Sequence, residues 1–514
     1  MRQPALRTAS LCAAVLAAPL AAQSPASEPD TVLTRRILAA EDRRDSTDRA
    51  LAMGARSADA RVSLIARRAL ARMREPRFAA RDSLGPALPA PPKYAEPAWR
   101  LRYRALDPKK VDCAAVRTAL ADELWHVRLR AADLAAPACR GDSAVIATLR
   151  QWMATSNTSS RTRDGAAWQP AAHGIVALAK LSPDAIQLAL PGLIQHTALP
   201  WVRVYVARAA SVLADTQSLR TLARDDNDNV KEAAMAGLSR LTAHVDDSLF
   251  IAALDAKGYQ AVRAAAMALK GAPATPALRR ALVQASYQLR ADYSETSRDA
   301  RLEVLARLAE VADASVLPAV RELSTDFDCE VANAASAIAT KLGTPGKAKC
   351  TPFLGTVPDH AVRLALGADV RLRVVMAEQG GGGAFVVRLR GDVAPIMAAC
   401  VLQLAQTGYY NGRAWHRVEP DFVIQGPSAG DNEYVGHPLF IRDELGTVPH
   451  VRGTVGMSTR GHDTGDSQWF VNLKDNLRLG RDYTIFGEIV EGIEVADNVL
   501  EGDKIERIEV VKSP

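Results

Sequence analysis

Near residue 350 the chain changes its periodicity, and that change rules out a fold built on a single pattern. From Asp30 to Leu342 the sequence is rich in Ala, Leu and Arg and reads as successive helices with short breaks. One pattern keeps returning: a polar turn, then Val-Arg or a relative, then small residues. It occurs as "DARVSLIARRALARM" from Asp59, "WHVRLRAADLAA" from Trp125, "WVRVYVARAASVLAD" from Trp201, "DNVKEAAMAGLSRL" from Asp228, "QAVRAAAMALKGA" from Gln260 and "CEVANAASAIATKLG" from Cys329. Val202, Val230 and Val262 are 28 and then 32 residues apart, a period that suits one helical hairpin per repeat. Each hairpin leaves an apolar face for the next to cover, so the expectation is an α-helical solenoid. Two stretches interrupt it, "EPRFAARDSLGPALPAPPKYAEPAW" from Glu75 and "ATSNTSSRTRDGAAWQP" from Ala154. Both read as loops.

Around "LGTPGKAKCTPFLGTVPDH" the helical pattern stops. Short alternating runs follow: "VRLRVVM", "AFVVRLR", "DFVIQG", "GTVGMS", "QWFVNL", "YTIFGEIV" and "IERIEVV". Period-two alternation with Gly-rich joints indicates an antiparallel sheet or barrel. Gly380–Gly383 reads as a hairpin tip, and "APIMAACVLQLAQTG" as a helix ended by Gly408.

At 514 residues the chain is long enough for two to four domains. Its net charge of +6 is uneven: residues 358–514 carry 16 Lys+Arg and 22 Asp+Glu, net −6, which leaves +12 on the rest. The basic part could attract nucleic acid or anionic lipid, but the scattered arginines read more simply as solvated helix faces. The N-terminus, "MRQPALRTASLCAAVLAAPLAAQSP", has a basic start, a short apolar run and small residues at Ala21-Ala22. That is the pattern of a secretory signal peptide, covering residues 1–22. Export, to a periplasm rather than the exterior, is the expectation, and it disfavours nucleic acid as a partner.

Removal of Cys12 with the signal would leave five cysteines. Cys113 with Cys139 and Cys329 with Cys350 are candidate disulfides in an oxidising compartment. Cys400 is left over in an apolar helix, where a buried thiol is expected. The histidines and acids show no metal-ligand spacing, and "GHDTGDS" lacks the lysine of a phosphate loop. Neither a metal nor a cofactor is expected.

Four ordered motifs carry a resemblance: "GDVAPIMAACVLQLAQTGYYNG", "WHRVEPDFVIQG", "RGTVGMSTRGHDTGDSQWFVNL" and "LRLGRDYTIFGEIVEGIEVAD". Over about Ala384 to Val511 the chain resembles the cyclophilin family of peptidyl-prolyl cis-trans isomerases. The helical segments resemble HEAT-type repeats. The resemblance implies a closed antiparallel eight-stranded barrel with capping helices, following the solenoid. The implied division is a helical repeat domain at 30–350, a linker and first-strand region at 351–383, and an isomerase domain at 384–514 or from near 358.

By motif position, Arg417 matches the family's catalytic arginine, Phe422 and Phe470 its pocket aromatics, and Gln425 the glutamine beside the arginine. Val423 falls where methionine is common and keeps an apolar wall. Leu479 matches a pocket leucine and Gln468 a glutamine of the substrate groove. Ser458 and Thr459 replace Ala-Asn, and Tyr483 replaces a histidine. Arg478 stands where many members carry a tryptophan that binds cyclosporin, which implies weak binding of that drug. His416 is expected to be structural. The chemistry asks for such a set. An X-Pro bond turns slowly because amide resonance must break, so a catalyst needs a ring pocket and a donor that favours the twisted state. Arginine is a permanently charged donor. Proline-containing polypeptides are the implied clients, with a further protein partner possible on the solenoid. The competing reading is a catalytically weak proline-peptide binding module whose solenoid is the main contact surface.

Overall fold

The computed structural model describes residues 30–74, 89–161, 165–351, 356–480 and 482–512. The signal-like segment and most of the Pro-dense loop after Glu75 lie outside the described residues.

Up to Lys341 the described elements are helical. Helices Trp125–Asp133, Gln169–Leu181, Pro200–Val212, Asp228–Thr242, Tyr259–Ala268, Arg298–Val311 and Cys329–Lys341 each pack on the next. The recurring Val-Arg pattern has a physical basis here. Val127, Val202, Val230, Val262 and Val331 are all buried in one shared apolar cluster. The polar turn ahead of the valine supplies the cap. Asn227 accepts from the amides of Asn229 and Val230, and Asp328 from those of Glu330 and Val331, donors that a helix leaves unpaired. Arginines tie neighbouring turns together, as in Arg203 with Asp225 at 2.7 Å. Cys113 is joined to Cys139, with Cα atoms 4.9 Å apart, and Cys329 to Cys350, at 5.0 Å. Helices Asp30–Asp42, Arg49–Ala55 and Ala60–Arg74 make a smaller apolar cluster of their own. Among the described residues no helix is long and apolar enough to cross a membrane.

Eight strands form one antiparallel sheet: β1 (Val370–Met376), β2 (Ala384–Leu389), β3 (Arg417–Glu419), β4 (Val423–Gly426), β5 (Thr454–Met457), β6 (Trp469–Asn472), β7 (Ile485–Glu491) and β8 (Ile505–Lys512). Their order is β3-β4-β6-β5-β7-β2-β1-β8. Alternation sets the inward face: Leu372, Val374 and Met376 on β1 and Phe385, Val387 and Leu389 on β2 are buried. Trp415 and Trp469 meet edge to face at 4.9 Å in the same core. Helix Pro395–Gln406 packs across β7 and β8. Cys400 on this helix is half-buried, less enclosed than the sequence suggests. The Gly-rich hairpin tip sits between β1 and β2, where Gly381, Gly382 and Gly383 all have positive φ.

The sheet curls but is not the closed barrel expected from the sequence. β3 and β8 stand at the ends of the strand order; the residues just before them meet at an isolated bridge, Ala414 to Lys504, flanked by backbone bonds such as Ile505 N–H to the Arg413 carbonyl and Trp415 N–H to the Asp503 carbonyl, without a ladder between the two strands themselves. β3 is three residues long, too short for a continuous ladder with β8.

The helical part and the sheet share a charged seam. Arg35–Asp359, Arg44–Asp463, Arg104–Asp421 and Arg161–Asp503 each pair a helical-side arginine with a sheet-side aspartate. Arg100 is fully buried there. It pairs with Asp497 and donates to the carbonyls of Pro420 and Leu473. These arginines join the basic part of the chain to its acidic part, so the arginines do not all decorate solvated faces.

Candidate active site

The apolar part of the site is a small cluster separate from the sheet's main core. Val423, Phe470 and Leu479 are buried in it, with Phe422 and Tyr483 half-buried at its rim. Strand pairing delivers these groups: β4 lies beside β6, with Gln425 opposite Phe470, and β5 places Gly456 opposite Phe470 on the other side. The ring needs that glycine, because a Cβ on Gly456 would lie 2.6 Å from the Phe470 ring. Phe470 stacks on His450, centroids 5.9 Å apart, and meets Tyr483 edge-on at 5.7 Å.

Arg417 stands on β3 directly across from Gln425. Its guanidinium donates to Gln425 Oε1 at 3.0 Å and lies 5.9 Å from the centroid of the Phe422 ring. Gln425 Nε2 in turn donates to Ser458 Oγ at 2.8 Å. This chain of bonds aims the arginine over the apolar cluster. Glu433 and Glu419 lie 3.6 and 4.0 Å from the guanidinium. The arrangement offers a fixed cationic donor at the lip of an apolar recess, which can favour a polar, twisted amide over a planar one without any proton transfer.

The other sequence candidates fall as follows. Ser458 donates its backbone N–H to the Gln468 carbonyl, while Thr459 is half-buried beside it. Gln468 is buried, and its amide donates to the Glu433 carbonyl at 3.1 Å. Arg478 is exposed, with its guanidinium 4.9 Å from the Phe422 centroid. His416 is buried, and burial, then the Arg417 charge, lowers its pKa to about 3. It is neutral at ordinary pH.

Sequence reasoning missed the floor of the recess. His450 Nε2 donates to the Tyr483 carbonyl at 3.0 Å, and Asn472 Nδ2 approaches His450 Nδ1 at 3.2 Å and bonds Thr454 Oγ1 at 3.0 Å. Asn476 Nδ2 donates to the Phe422 carbonyl and to Asn472 Oδ1. The signal for this network was a fully buried asparagine ending the apolar strand "WFVN". Also missed was a cleft of about 760 Å³ that Arg417 helps to line. One of its walls is the inward faces of several stacked helices; the other is β3 and the loop around Glu433.

The class of site this fold presents is an apolar recess on a curled antiparallel sheet, rimmed by an oriented arginine. The model of the family "Cyclophilin type peptidyl-prolyl cis-trans isomerase/CLD" matches residues 373–512. A probable peptidyl-prolyl cis-trans isomerase of Brucella suis biovar 1 is 32% identical over 171 residues, which cover 30% of this chain and 84% of that protein. Peptidyl-prolyl cis-trans isomerase B of Bacillus subtilis is 32% identical over 131 residues, 25% of this chain and 92% of its own. A peptidyl-prolyl cis-trans isomerase of Helicobacter pylori is 36% identical over 119 residues, 22% and 73% of the two chains. The chain belongs to the cyclophilin-type peptidyl-prolyl cis-trans isomerases.

Proposed function

We propose that the protein is an exported isomerase that accelerates X-Pro steps in the folding of envelope or secreted proteins, with its helices forming a HEAT-like solenoid that holds clients. The observation that carries the catalytic part is Arg417, held by Gln425 over the Phe422 ring. In this reading the proline ring enters the recess of Val423, Phe470 and Leu479. Arg417 donates toward the prolyl nitrogen, whose lone pair localises as the bond twists. Gln425 orients the arginine, Ser458, Thr459 and Gln468 border the bound peptide, and Tyr483 closes the rim.

Export, to a periplasm, is supported by the signal-like N-terminus and by the two disulfides, which persist in oxidising compartments. The solenoid is supported by helices that stack in sequence order on repeating valines. Slow proline isomerisation limits the folding of many chains, which gives such an enzyme its task.

A second reading, a weak catalyst that mainly binds, is favoured by Arg478 over Phe422 and by the Glu433–Arg417 pair, both of which narrow access to the recess. Kinetics on a short X-Pro peptide separate the two. Arg417→Ala should lower kcat/KM about 100-fold, as loss of one preorganised donor does. Equal rates for wild type and variant would refute the assigned role.

A further inference from the structure

The turn between β3 and β4 is held from behind by the helical part. Arg100 and Arg104 stand one helical turn apart on helix Trp99–Ala105, so their side chains leave the same face. Arg100 is fully buried; its Nε donates to the Pro420 carbonyl at 2.8 Å and its Nη1 to the Leu473 carbonyl. Arg104 pairs with Asp421 at 3.0 Å. Phe422 is the next residue along the turn. Leu473 follows β6, the strand of Phe470, and its N–H donates to the Phe422 carbonyl at 3.0 Å. One buried guanidinium therefore joins the two segments that carry the aromatic groups of the recess.

The helices hold the other side of Arg417 as well. Asn229, on helix Asp228–Thr242, donates through Nδ2 to the Gly430 carbonyl at 2.9 Å and accepts from Asn432 Nδ2 at 3.0 Å. Arg263, on helix Tyr259–Ala268, stacks 3.7 Å from the Tyr434 centroid. Between these fixed points stands Glu433, whose carboxylate faces Arg417 and whose carbonyl accepts from Gln468 and Arg460.

The sheet has ties of its own to the turn: Lys474 pairs with Asp421 at 3.0 Å, and Asn476 Nδ2 donates to the Phe422 carbonyl at 3.1 Å. Among the described residues, however, the Pro420 carbonyl accepts from no side chain but Arg100. From this we infer that Arg100 is a positioning residue for the isomerase site: the helical part is built into the enzyme and fixes Phe422 against Phe470. The inference rests on the isomerase reading above. A rim fixed before the peptide arrives loses little freedom on binding. A loosened rim weakens the grip on the proline ring, whereas Arg417 keeps its bond to Gln425. The effect falls on KM and spares kcat.

The test uses the full chain and a short blocked Ala-Pro peptide, with NMR exchange at several peptide concentrations to separate kcat from KM. Arg100→Lys keeps a positive charge beside Asp497 but lacks the planar fork that reaches two carbonyls and a carboxylate together. It should raise KM about fivefold, the scale of one lost hydrogen bond, with kcat within about twofold of wild type. Asn229→Ala, on a half-buried side chain, should raise KM about threefold through the loop of Glu433. Arg203→Ala is the control: it breaks the Arg203–Asp225 pair, which touches neither segment, so the urea midpoint should fall and KM stay unchanged. A fluorine NMR label on the Phe422 ring reports its packing independently of turnover. Its resonance should shift or broaden in Arg100→Lys and stay put in Arg203→Ala.

A wild-type KM in Arg100→Lys, an equal KM rise in Arg203→Ala, or an unmoved fluorine resonance in Arg100→Lys would each overturn the positioning role. Should Arg100→Lys fail to fold, Arg104→Ala takes its place, with a KM rise of about twofold for a half-exposed pair and an unchanged KM as the overturning result. If wild type does not turn over the peptide at all, the isomerase reading has failed instead. The fluorine resonance then decides alone whether Arg100 positions Phe422.

Discussion

Arg100 of the helical part and Asp497 of the sheet part form a buried ion pair, and the arginine has no exposed surface. Arg452 grips the same carboxylate at 2.6 Å, and His126, stacked on Trp99, meets the Asp497 carbonyl at 3.0 Å. Burial presses on the charged form of Arg100 and lowers its pKa, while Asp497 opposes that. Two arginines share the Asp497 carboxylate, and Arg100 also holds the Pro420 carbonyl, so the pair ties the helices to the sheet next to β3.

Removing one side of such a pair strands the other in a dry site. Arg100→Met should cost about 3 kcal/mol of stability, near the low end for breaking a buried pair because Arg452 still neutralises Asp497. Arg104→Ala, which loses the half-exposed pairs with Glu96 and Asp421, should cost less than about 1 kcal/mol. Urea denaturation of both variants checks this, and equal losses would show that the seam does not depend on Arg100.

A second expectation concerns Gly456. A methyl group there meets the Phe470 ring at 2.6 Å, and that ring is already fixed by His450 and Tyr483. Gly456→Ala should push the ring into the recess and raise KM for an X-Pro peptide. The stability loss should stay within about 1–3 kcal/mol, the usual cost of overpacking. A KM equal to wild type would mean that proline does not use this recess.

These relationships mark where sequence reading succeeded and where it stopped. Seven of the strands were visible as alternating runs, and Arg417 and Gln425 fall on two paired strands with Phe422 in the turn between them, because period-two patterning and local order survive in the sequence. β3 was not visible: three residues give no alternation to read. The open edge between β3 and β8 was hidden for the same reason. The seam was invisible too, since Arg100 and Asp497 are 397 positions apart and each alone looks like a surface charge. The cleft escaped notice because its lining comes from several helices and from the segments around Arg417 and Glu433, brought together from positions as far apart as Tyr103 and Glu501.

Acid should weaken the recess through its floor. Burial lowers the His450 pKa from 6.5 to about 4, with the bond to the Tyr483 carbonyl pulling partly the other way. With Nε2–H given to that carbonyl and Nδ1 facing the Asn472 amide, the folded state holds the neutral ring. Between about pH 6.5 and 4 the unfolded chain therefore binds more protons at this residue than the folded one. The stability this histidine contributes is present above pH 6.5 and is lost as pH falls through that window. His450→Gln keeps a donor for Tyr483 and removes the titration. Its stability should fall less steeply from pH 6.5 to 4 than that of wild type, by urea midpoints at each pH. Parallel slopes would assign the acid sensitivity elsewhere, for instance to His126, whose pKa burial also lowers to about 4.

The last expectation is pharmacological. Where many relatives are expected to offer a tryptophan to cyclosporin, this chain has Arg478, exposed and lying over the Phe422 ring. A guanidinium keeps a hydration shell that an apolar cyclic peptide must strip without returning a hydrogen bond, so contact there is unfavourable. Cyclosporin at nanomolar concentrations should leave isomerase activity intact. Arg478→Trp should bring inhibition down by at least about tenfold in concentration, the order of one added aromatic contact of about 1.5 kcal/mol. Nanomolar inhibition of the wild-type enzyme would show that the rim at Phe422 and Arg478 does not govern drug access.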